Sequence, residues 1–197
     1  MGLLADEGGL PPSVEVRQAD ALHTDLSALA AELGPPVVLI GNLPYSIAGR
    51  LIGNVLAPGF PFRRMGFMLQ SEVADRVLAL PATSDYGTLS VYARLWTRAR
   101  RVLELSPEEF SPRPKVRSSF VVFEPRTDGP AVADPELLRR VVRAAFQQRR
   151  KQLRRALLTA FPNALAGLEA AGIDAQRRGE TLDELEFARL AEALSAR

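Results

Sequence analysis

The segment at residues 37–45, Val-Val-Leu-Ile-Gly-Asn-Leu-Pro-Tyr, constrains the fold of this chain more than any other. Its first four residues are aliphatic with no polar alternation, which is typical of a strand buried on both faces of a parallel sheet. Pro44 lacks a backbone N–H and keeps Leu43 out of the helical region, so the strand must end there. Ligands of such sheets bind beyond the carboxyl ends of the strands. We therefore expect Asn42 to lie in the binding crevice of an α/β protein.

Residues 42–45 offer an amide, outward-pointing backbone carbonyls and an aromatic face. The Oδ1 atom of Asn42 and the carbonyl of Leu43 can accept hydrogen bonds from the exocyclic amine of a base, while Tyr45 stacks on its ring. No general base is obvious, and none is required if two acceptors aim the amine's lone pair at an electrophilic methyl group. The alternative is an Asn-containing turn with a buried tyrosine, and the tetrapeptide alone leaves both interpretations open.

Alternating strand and helix signals around this segment predict a doubly wound α/β sheet. We expect further strands at residues 14–16, 65–70, 101–105 and 118–123, and helices at residues 26–33, 47–56 and 72–80. Residues 89–96 are ambiguous by period. A linker rich in turn-forming residues at 124–130 predicts a boundary between a catalytic domain, residues 1–126, and a small all-α domain, residues 127–197.

Charge is distributed unevenly along the chain. The net charge is +2, but residues 1–60 carry −4 and the remainder carries +6. Residues 137–158 hold no acid and eight basic residues, at positions 139, 140, 143, 149, 150, 151, 154 and 155. We expect one amphipathic helix here, with the arginines opposite an apolar stripe of Leu138, Val141, Val142, Ala145, Leu153 and Leu157. Such a surface favours a polyanionic partner; the alternative is an ordinary solvated helix.

The composition excludes several classes of protein. The chain has 197 residues, no cysteine and a single histidine, His23, which excludes a disulfide framework and disfavours a zinc site. No apolar stretch approaches the length of a membrane span, and the first residues do not resemble a secretory signal. We expect a cytoplasmic protein with no metal, no membrane partner and His23 in an exposed loop, for which a monomer is adequate.

A second site-like segment is the proline-rich loop, which we define as residues 106–116, Ser-Pro-Glu-Glu-Phe-Ser-Pro-Arg-Pro-Lys-Val. Ser106 and Glu109 have the spacing of a capping box, and the prolines that follow keep the chain extended. Phe110 is therefore expected on a rigid loop, where Arg113 and Lys115 favour a nucleic-acid edge. A base between Tyr45 and Phe110 would be sandwiched. The alternative is that Phe110 plugs the core beneath the loop.

Several segments, taken together and in order, resemble the small-subunit (16S) ribosomal RNA dimethyladenosine transferases of the KsgA/RsmA type. Five of them are Gln-Ala-Asp-Ala-Leu at 18–22, Gly-Asn-Leu-Pro-Tyr at 41–45, Met-Leu-Gln-Ser-Glu-Val-Ala-Asp-Arg at 68–76, Tyr-Gly-Thr-Leu-Ser-Val at 86–91 and Phe-Ser-Pro-Arg-Pro-Lys-Val at 110–116. The tail at 145–154 and Gly-Ile-Asp at 172–174, with Arg177, Thr181 and Leu182 beyond it, is similar to that family's C-terminal helical domain. The resemblance covers nearly the whole chain.

The resemblance implies a Rossmann-like class I methyltransferase sheet followed by an all-α domain. It implies transfer of methyl groups from S-adenosylmethionine to the amino nitrogens of two adjacent adenines in 16S rRNA of the immature small ribosomal subunit. The family's roles in holding the amine and the base map to Asn42, Leu43, Pro44, Tyr45 and Phe110. Cofactor contacts map to Asp20, Ala21 and Asn42. RNA contacts are expected from Arg113, Lys115, Arg143, Arg149, Arg150, Lys151 and Arg154.

One departure from the family's pattern is large. A cofactor fold of this kind needs a first strand, a glycine-rich turn and an acid at the end of the next strand. Gly8-Gly9 is not such a turn, because no strand signal precedes it. We therefore expect that Met1 is an internal start, that the sheet is N-terminally truncated, and that this chain alone binds S-adenosylmethionine weakly and methylates poorly.

Three interpretations of function remain at this stage. The first is an rRNA adenine N6,N6-dimethyltransferase, complete or truncated. The second is a noncatalytic rRNA-binding or ribosome-assembly factor on the same fold. The third is a relative that acts on large-subunit rRNA, or a DNA adenine methyltransferase, and the sequence at 147–155 and 172–174 argues against it.

Overall fold

The computed structural model describes residues 11, 13–56 and 61–195. Gly8 and Gly9, which the sequence excluded as a cofactor turn, lie outside the described residues. The strands are β1 (Val38–Asn42), β2 (Arg64–Gln70), β3 (Thr97–Leu105) and β4 (Ser118–Pro125). The helices are α1 (Leu26–Leu33), α2 (Ala48–Val55), α3 (Ser71–Leu78), α4 (Thr88–Trp96), α5 (Pro135–Gln147), α6 (Leu153–Ala156), α7 (Ala164–Ala170) and α8 (Glu184–Ser195). Short 3₁₀ turns lie at Pro107–Glu109 and Gly179–Thr181.

The four strands form one mixed sheet in the order β1-β2-β4-β3. Strands β1 and β2 are parallel, whereas β4 runs antiparallel to both of its neighbours, β2 and β3. Because of these directions, the carboxyl ends of β1 and β2 meet the beginning of β4, where Gln70 lies opposite Ser118. The loop after β1 and the proline-rich loop before β4 therefore leave the sheet at the same edge.

Apolar residues of the sheet and of the C-terminal helices form one buried cluster. Phe67 of β2 and Phe123 of β4 meet edge to face with ring centroids 6.0 Å apart, and burying each such side chain contributes about 1.5–3 kcal/mol. The six residues of the expected apolar stripe are all buried. Phe146 of α5 continues the cluster between Tyr86 and Phe187 of α8. The domain boundary at residues 126 and 127 remains a prediction.

Most predicted elements are confirmed, and helix α1 shows why. Asp25 precedes it and accepts hydrogen bonds from the backbone N–H groups of Ser27 and Ala28, which caps the first turn. Gly34 ends it with φ at 75°, a left-handed conformation that glycine adopts without a Cβ penalty. The ambiguous segment around residues 89–96 is helix α4, and His23 lies in an exposed turn as expected.

Two predictions about strands are wrong. Residues 14–16 form no strand and are exposed, and the neighbouring Arg17 pairs with both Glu15 and Glu32 of α1. Strand β1 is not buried on both faces, since the side chains of Val38 and Ile40 are 51% and 70% exposed. Among the described residues, β1 pairs only with β2, and nothing in that part of the chain covers the face that Val38 and Ile40 share.

The single basic helix expected over residues 137–158 is also wrong. Helix α5 ends at Gln147, and a turn in which Lys151 donates its N–H to the carbonyl of Gln148 separates it from α6. Leu153 and Arg154 then donate their N–H groups to the carbonyls of Arg177 and Ala175. These tertiary hydrogen bonds satisfy the backbone donors that a continuous helix would have used internally, so the break costs little.

Candidate active site

Strand β1 ends at Asn42, and the chain then turns at once into helix α2. A Cβ atom at Gly41 would lie 3.0 Å from Cδ2 of Leu43 and 3.3 Å from the ring of Phe67, so the absent side chain lets Leu43 fold back onto the core. The carbonyl of Pro44 accepts hydrogen bonds from the N–H groups of Ile47 and Ala48, at 3.1 and 3.2 Å, and begins α2. Of the expected outward carbonyls, that of Pro44 is therefore used by the helix.

Asn42 lies exposed at the end of this strand. Within the described residues its side-chain amide makes no hydrogen bond, so both its donors and its acceptor are available to a ligand. The next residue, Leu43, is buried, and its packing restricts the backbone that carries the Asn42 side chain. The result is a free amide on a rigid support, which is the arrangement that precise positioning of a ligand requires.

The Tyr45 side chain is held by a hydrogen bond to strand β4. Its hydroxyl lies 2.9 Å from Oγ of Ser118, the first residue of β4. A second hydroxyl pair, Ser71 with Ser119 at 3.0 Å, joins the start of α3 to the same strand. Both serines of β4 are fully buried. The sequence analysis did not single out Ser118, and no motif signal distinguishes it from Ser119.

The proline-rich loop begins with a 3₁₀ turn at Pro107–Glu109 and then runs along the crevice. The capping box expected there is wrong, because the Ser106 side chain makes no capping hydrogen bond. Its partner is Glu108 instead. Hydrogen bonds from its own backbone N–H, from Ser106 and from Arg113 keep the pKa of Glu108 below its usual value. Arg113, one of the expected RNA contacts, is thus paired with Glu108 across the loop.

The two loops together line an open cavity of about 470 Å³ at the edge of the sheet. Its walls are Asn42, Leu43, Pro44, Tyr45, Phe110, Pro112, Arg113 and Pro114. The structure therefore brings all five residues expected to hold a target base into one cavity, although 64 positions separate Tyr45 from the nearest of the loop residues in sequence. Pro112 and Pro114 are additions that the sequence analysis did not name as lining residues.

Asp20, the expected cofactor ligand, lies in the turn before α1. Its carboxylate accepts a hydrogen bond from the N–H of Leu22 and contacts Nδ1 of His23, and these two interactions keep its pKa below the usual value. The side chain is 58% exposed. Asp20 does not line the cavity that contains Asn42, whereas Ala21 lines two neighbouring cavities of about 400 and 130 Å³ against α1. The residues expected to contact the cofactor therefore do not share one cavity.

The eight basic residues of the segment 137–158 divide into two groups. Three of them are held in the protein. Arg139 donates to the carbonyls of Gly53 and Leu56 at the end of α2, Arg149 pairs with Glu180, and Arg140 stacks over Phe161. Others are exposed and make no ion pair with described residues: Arg143, Arg150, Lys151, Arg154 and Arg155. The last four lie in the turn between α5 and α6 and at the start of α6, and we call them the basic turn.

A buried ion-pair network joins α8 to the sheet. Glu184, with 8% of its side chain exposed, accepts from Arg94 of α4 at 2.8 Å and from Arg126 after β4 at 3.1 Å. Burial acts to raise the pKa of Glu184, but the hydrogen bonds from Arg94, its own backbone N–H and Arg126 outweigh it and keep the pKa below its usual value. Arg126 also donates to the carbonyl of Arg94.

Two other kinds of site were sought among the described residues. No group of three or more histidine or acidic side chains there is placed to hold a metal ion. In the same part of the chain, no helix has the length and apolarity that crossing a bilayer requires.

The fold and the position of the crevice define the class of protein. The chain is similar in structure to a dimethyladenosine transferase from Plasmodium falciparum, with a TM-score of 0.71 and 24% identity over 89% of this chain and 70% of that one. It is also similar to the 23S rRNA methyltransferase ErmE, with a TM-score of 0.59 and 24% identity over 93% of this chain and 73% of that one. The fold is that of the Rossmann-like methyltransferases.

The sequence comparisons then identify the family. Residues 4–196 match the family model for ribosomal RNA adenine dimethylases, so the chain belongs to that family. It is 39% identical to a ribosomal RNA small subunit methyltransferase A from Geobacillus thermodenitrificans over 98% of this chain and 69% of the relative. Relatives of the same name are 42% identical in Syntrophotalea carbinolica, over 91% and 69%, and 40% identical in Pseudomonas aeruginosa, over 98% and 71%. The chain thus spans about 70% of the length of these three relatives.

Proposed function

We propose that this chain carries the target-base site of an rRNA adenine N6,N6-dimethyltransferase that acts on two adjacent adenines of 16S rRNA in the small ribosomal subunit. The observation that carries the proposal is the shared cavity of Asn42, Tyr45 and Phe110, formed by two loops that are remote in sequence. The family of the chain and the names of its relatives support the same activity. We also propose that the protein is cytoplasmic and monomeric.

Catalysis in this cavity is a matter of positioning. Asn42 Oδ1 and the Leu43 carbonyl accept hydrogen bonds from the adenine amino group, which holds the nitrogen and directs its lone pair away from the ring. Tyr45 and Phe110 hold the ring itself, because base stacking on an aromatic side chain contributes about 1–3 kcal/mol. An extruded base is required, since the amine is not accessible inside a duplex.

S-adenosylmethionine, as the cofactor, would supply the electrophilic methyl group. Asp20, Ala21 and Asn42 are the residues proposed to hold it. The fit is partial, because the Asp20 carboxylate is largely exposed and the described residues contain no glycine-rich turn after a strand. Ligand sites normally bury most of the ligand's surface. The described residues offer the Asp20 carboxylate as a hydrogen-bond acceptor for the cofactor. They also offer Asn42 at the end of β1.

Cofactor affinity is therefore expected to be low. Calorimetric titration of the 197-residue chain with S-adenosylmethionine should show no saturation at micromolar concentrations, because much of the cofactor would remain in contact with water. Asp20→Ala serves as the control for any weak heat signal at the site. Micromolar binding by the isolated chain would contradict this expectation.

The basic turn is the proposed contact with rRNA phosphates, together with Arg143, Arg113 and Lys115. Its four side chains lie exposed, two in the turn and two in α6, and make no ion pair with described residues, so an RNA backbone can approach them without breaking one. Arg149, also among the expected contacts, is already engaged with Glu180 and the carbonyl of Thr83. We propose that it shapes the turn and contributes less to affinity.

Replacing Arg150 and Lys151 with glutamine should weaken rRNA binding and reduce its salt dependence. Each lost phosphate contact lowers the slope of log affinity against log salt by about 0.7–0.9, so the double variant should lose about 1.5. Arg139→Gln is the matched control, because Arg139 also carries a charge on α5 but binds backbone carbonyls of α2. It should lower the melting temperature and leave the slope unchanged. Equal slopes in all three proteins would contradict the assignment.

The proposed activity is tested by methyl transfer to immature small subunits that lack the modification. Tritium from labelled S-adenosylmethionine, at saturating concentration, should appear in 16S rRNA as dimethyladenosine at two adjacent positions. Incorporation into large-subunit rRNA or DNA alone would contradict the proposal. Binding of rRNA with no transfer at any cofactor concentration would support a noncatalytic factor instead.

A further inference from the structure

We infer that Ser118 is a positioning residue for Tyr45. The two hydroxyls lie 2.9 Å apart, and Ser118 is fully buried at the first position of β4. The inference rests on the proposed function only in taking Tyr45 as the residue that stacks on the base. It assigns to Ser118 a role in the reaction that the motifs and the family comparison leave open.

The position of Ser118 in the sheet gives this contact its effect. Ser118 is paired with Gln70 of β2 on one side and with Leu105 of β3 on the other, so its backbone is held by two strands. A hydroxyl mounted there is a fixed point. Tyr45, in contrast, lies in the irregular stretch between β1 and α2 and is half-buried. The hydrogen bond to this hydroxyl restricts the position of the tyrosine ring relative to the sheet.

The same contact joins the two walls of the cavity. Tyr45 belongs to the loop after β1, and Ser118 follows directly on the proline-rich loop that carries Phe110. A base held between Tyr45 and Phe110 needs two rings at a constant separation, because stacking falls off steeply when rings separate or tilt. Without the Ser118 hydroxyl, the Tyr45 ring can rotate and its hydroxyl would turn towards water. The adenine amine would then meet Asn42 less often in a productive geometry.

Ser119 provides a matched control inside the same strand. It too is fully buried and its hydroxyl pairs with another hydroxyl, that of Ser71 at 3.0 Å. Loss of either serine hydroxyl removes one neutral hydrogen bond from the same end of β4. Only Ser118 contacts a residue of the cavity. A difference between Ser118→Ala and Ser119→Ala therefore reports positioning and not general stability.

The first test is kinetic and uses the 197-residue chain with saturating cofactor. Ser118→Ala should lower kcat about fivefold to tenfold. This fold-change corresponds to the loss of about one hydrogen bond that helps to align the reacting groups in the transition state. The KM for small subunits should not change, because affinity for RNA comes mainly from phosphate contacts elsewhere. Tyr45→Phe should have a similar effect, and the double variant should be no slower than either single one. Ser119→Ala should keep the kcat of the parent chain.

The second test does not depend on activity, so it separates the failure of this inference from the failure of the proposed function. The chain has three tyrosines, and Tyr86 and Tyr92 are buried, so ring-labelled [13C]tyrosine gives one signal set for Tyr45 and two internal references. Ser118→Ala should shift and average the Tyr45 signals, and Ser119→Ala should leave them unchanged. Unaltered Tyr45 signals in Ser118→Ala, or an equal loss of kcat in both serine variants, would overturn the inference.

Discussion

Asn42→Ala should lower kcat/KM for methylation of small subunits by about a hundredfold to a thousandfold. Removal of one preorganised hydrogen-bonding group from a catalytic site typically has an effect of this size. The substitution removes the one side-chain acceptor proposed for the adenine amine and leaves the Leu43 carbonyl. The amine then keeps fewer of the contacts that hold its lone pair in line with the methyl group. Initial rates of tritium incorporation, measured with saturating cofactor, give the ratio directly.

Three features of Asn42 make this variant easy to interpret. The side chain is exposed and makes no hydrogen bond with described residues, so its loss should change the free energy of unfolding by less than about 0.5 kcal/mol. Asn42→Asp keeps an acceptor oxygen and should retain more activity than Asn42→Ala. Asn163→Ala is a neutral control, since the Asn163 side chain does not cap helix α7. Full activity in Asn42→Ala would refute the proposed mechanism.

Glu184→Gln should give the largest loss of stability among conservative single substitutions at charged positions. The glutamine keeps the size of the side chain but leaves Arg94 and Arg126 without the carboxylate that neutralises them. Breaking a buried ion pair from one side costs about 3–5 kcal/mol, and the partial exposure of Arg94 places this case near the lower value. Urea unfolding followed by circular dichroism measures the difference. Glu192→Gln, on the exposed side of the same helix, should have almost no effect.

The contribution of Glu184 should also depend on pH. Its pKa is lowered in the folded chain, so the folded state binds the proton less tightly than the unfolded state does. The stabilisation is therefore present above the unfolded pKa of glutamate, about 4.3, and is lost as pH falls through the lower folded pKa. The difference in unfolding free energy between the parent chain and Glu184→Gln should have its full size at pH 7. It should decrease below about pH 4.3. A difference that grows on acidification would contradict the pKa direction.

Much of the site was predictable because it depends on local chemistry. Pro44 prevents continuation of β1, so the position of Asn42 at the end of the strand was predictable, although the strand is not buried on both faces as expected. Apolar periodicity identified the buried stripe correctly, although α5 ends at Gln147 and does not continue to residue 158. The sequence placed Tyr45 and Phe110 together only through the hypothesis that both contact one base. In the structure, β4 runs antiparallel to β2, and this direction brings the loops that carry the two residues to the same edge of the sheet.

The errors share one physical cause, which is competition from partners distant in sequence. Residues 14–16 have the apolar alternation of a strand, but the ion pairs of Arg17 draw this stretch towards α1. The basic segment has the period of a helix, but Arg177 and Ala175 supply acceptors that favour a break before Leu153. Likewise, nothing in the sequence shows that Arg139 and Arg149 are already engaged. Arg139 binds backbone carbonyls, which carry no sequence signal, and Arg149 binds both a backbone carbonyl and Glu180, which is 31 residues away.

The Glu184 network has a consequence for the divergence of the family. Its three charges come from three segments of the chain, and loss of Glu184 leaves two arginines uncompensated, whereas loss of either arginine leaves a neutral pair. Replacing a whole buried ionic group with well-packed apolar residues is often neutral or stabilising, whereas losing one member is costly. Variants that have lost Glu184 alone should therefore be rare. Across descendants of a common ancestor, a change at position 184 should come with changes at positions 94 and 126, whereas either arginine can be replaced by itself at a smaller cost.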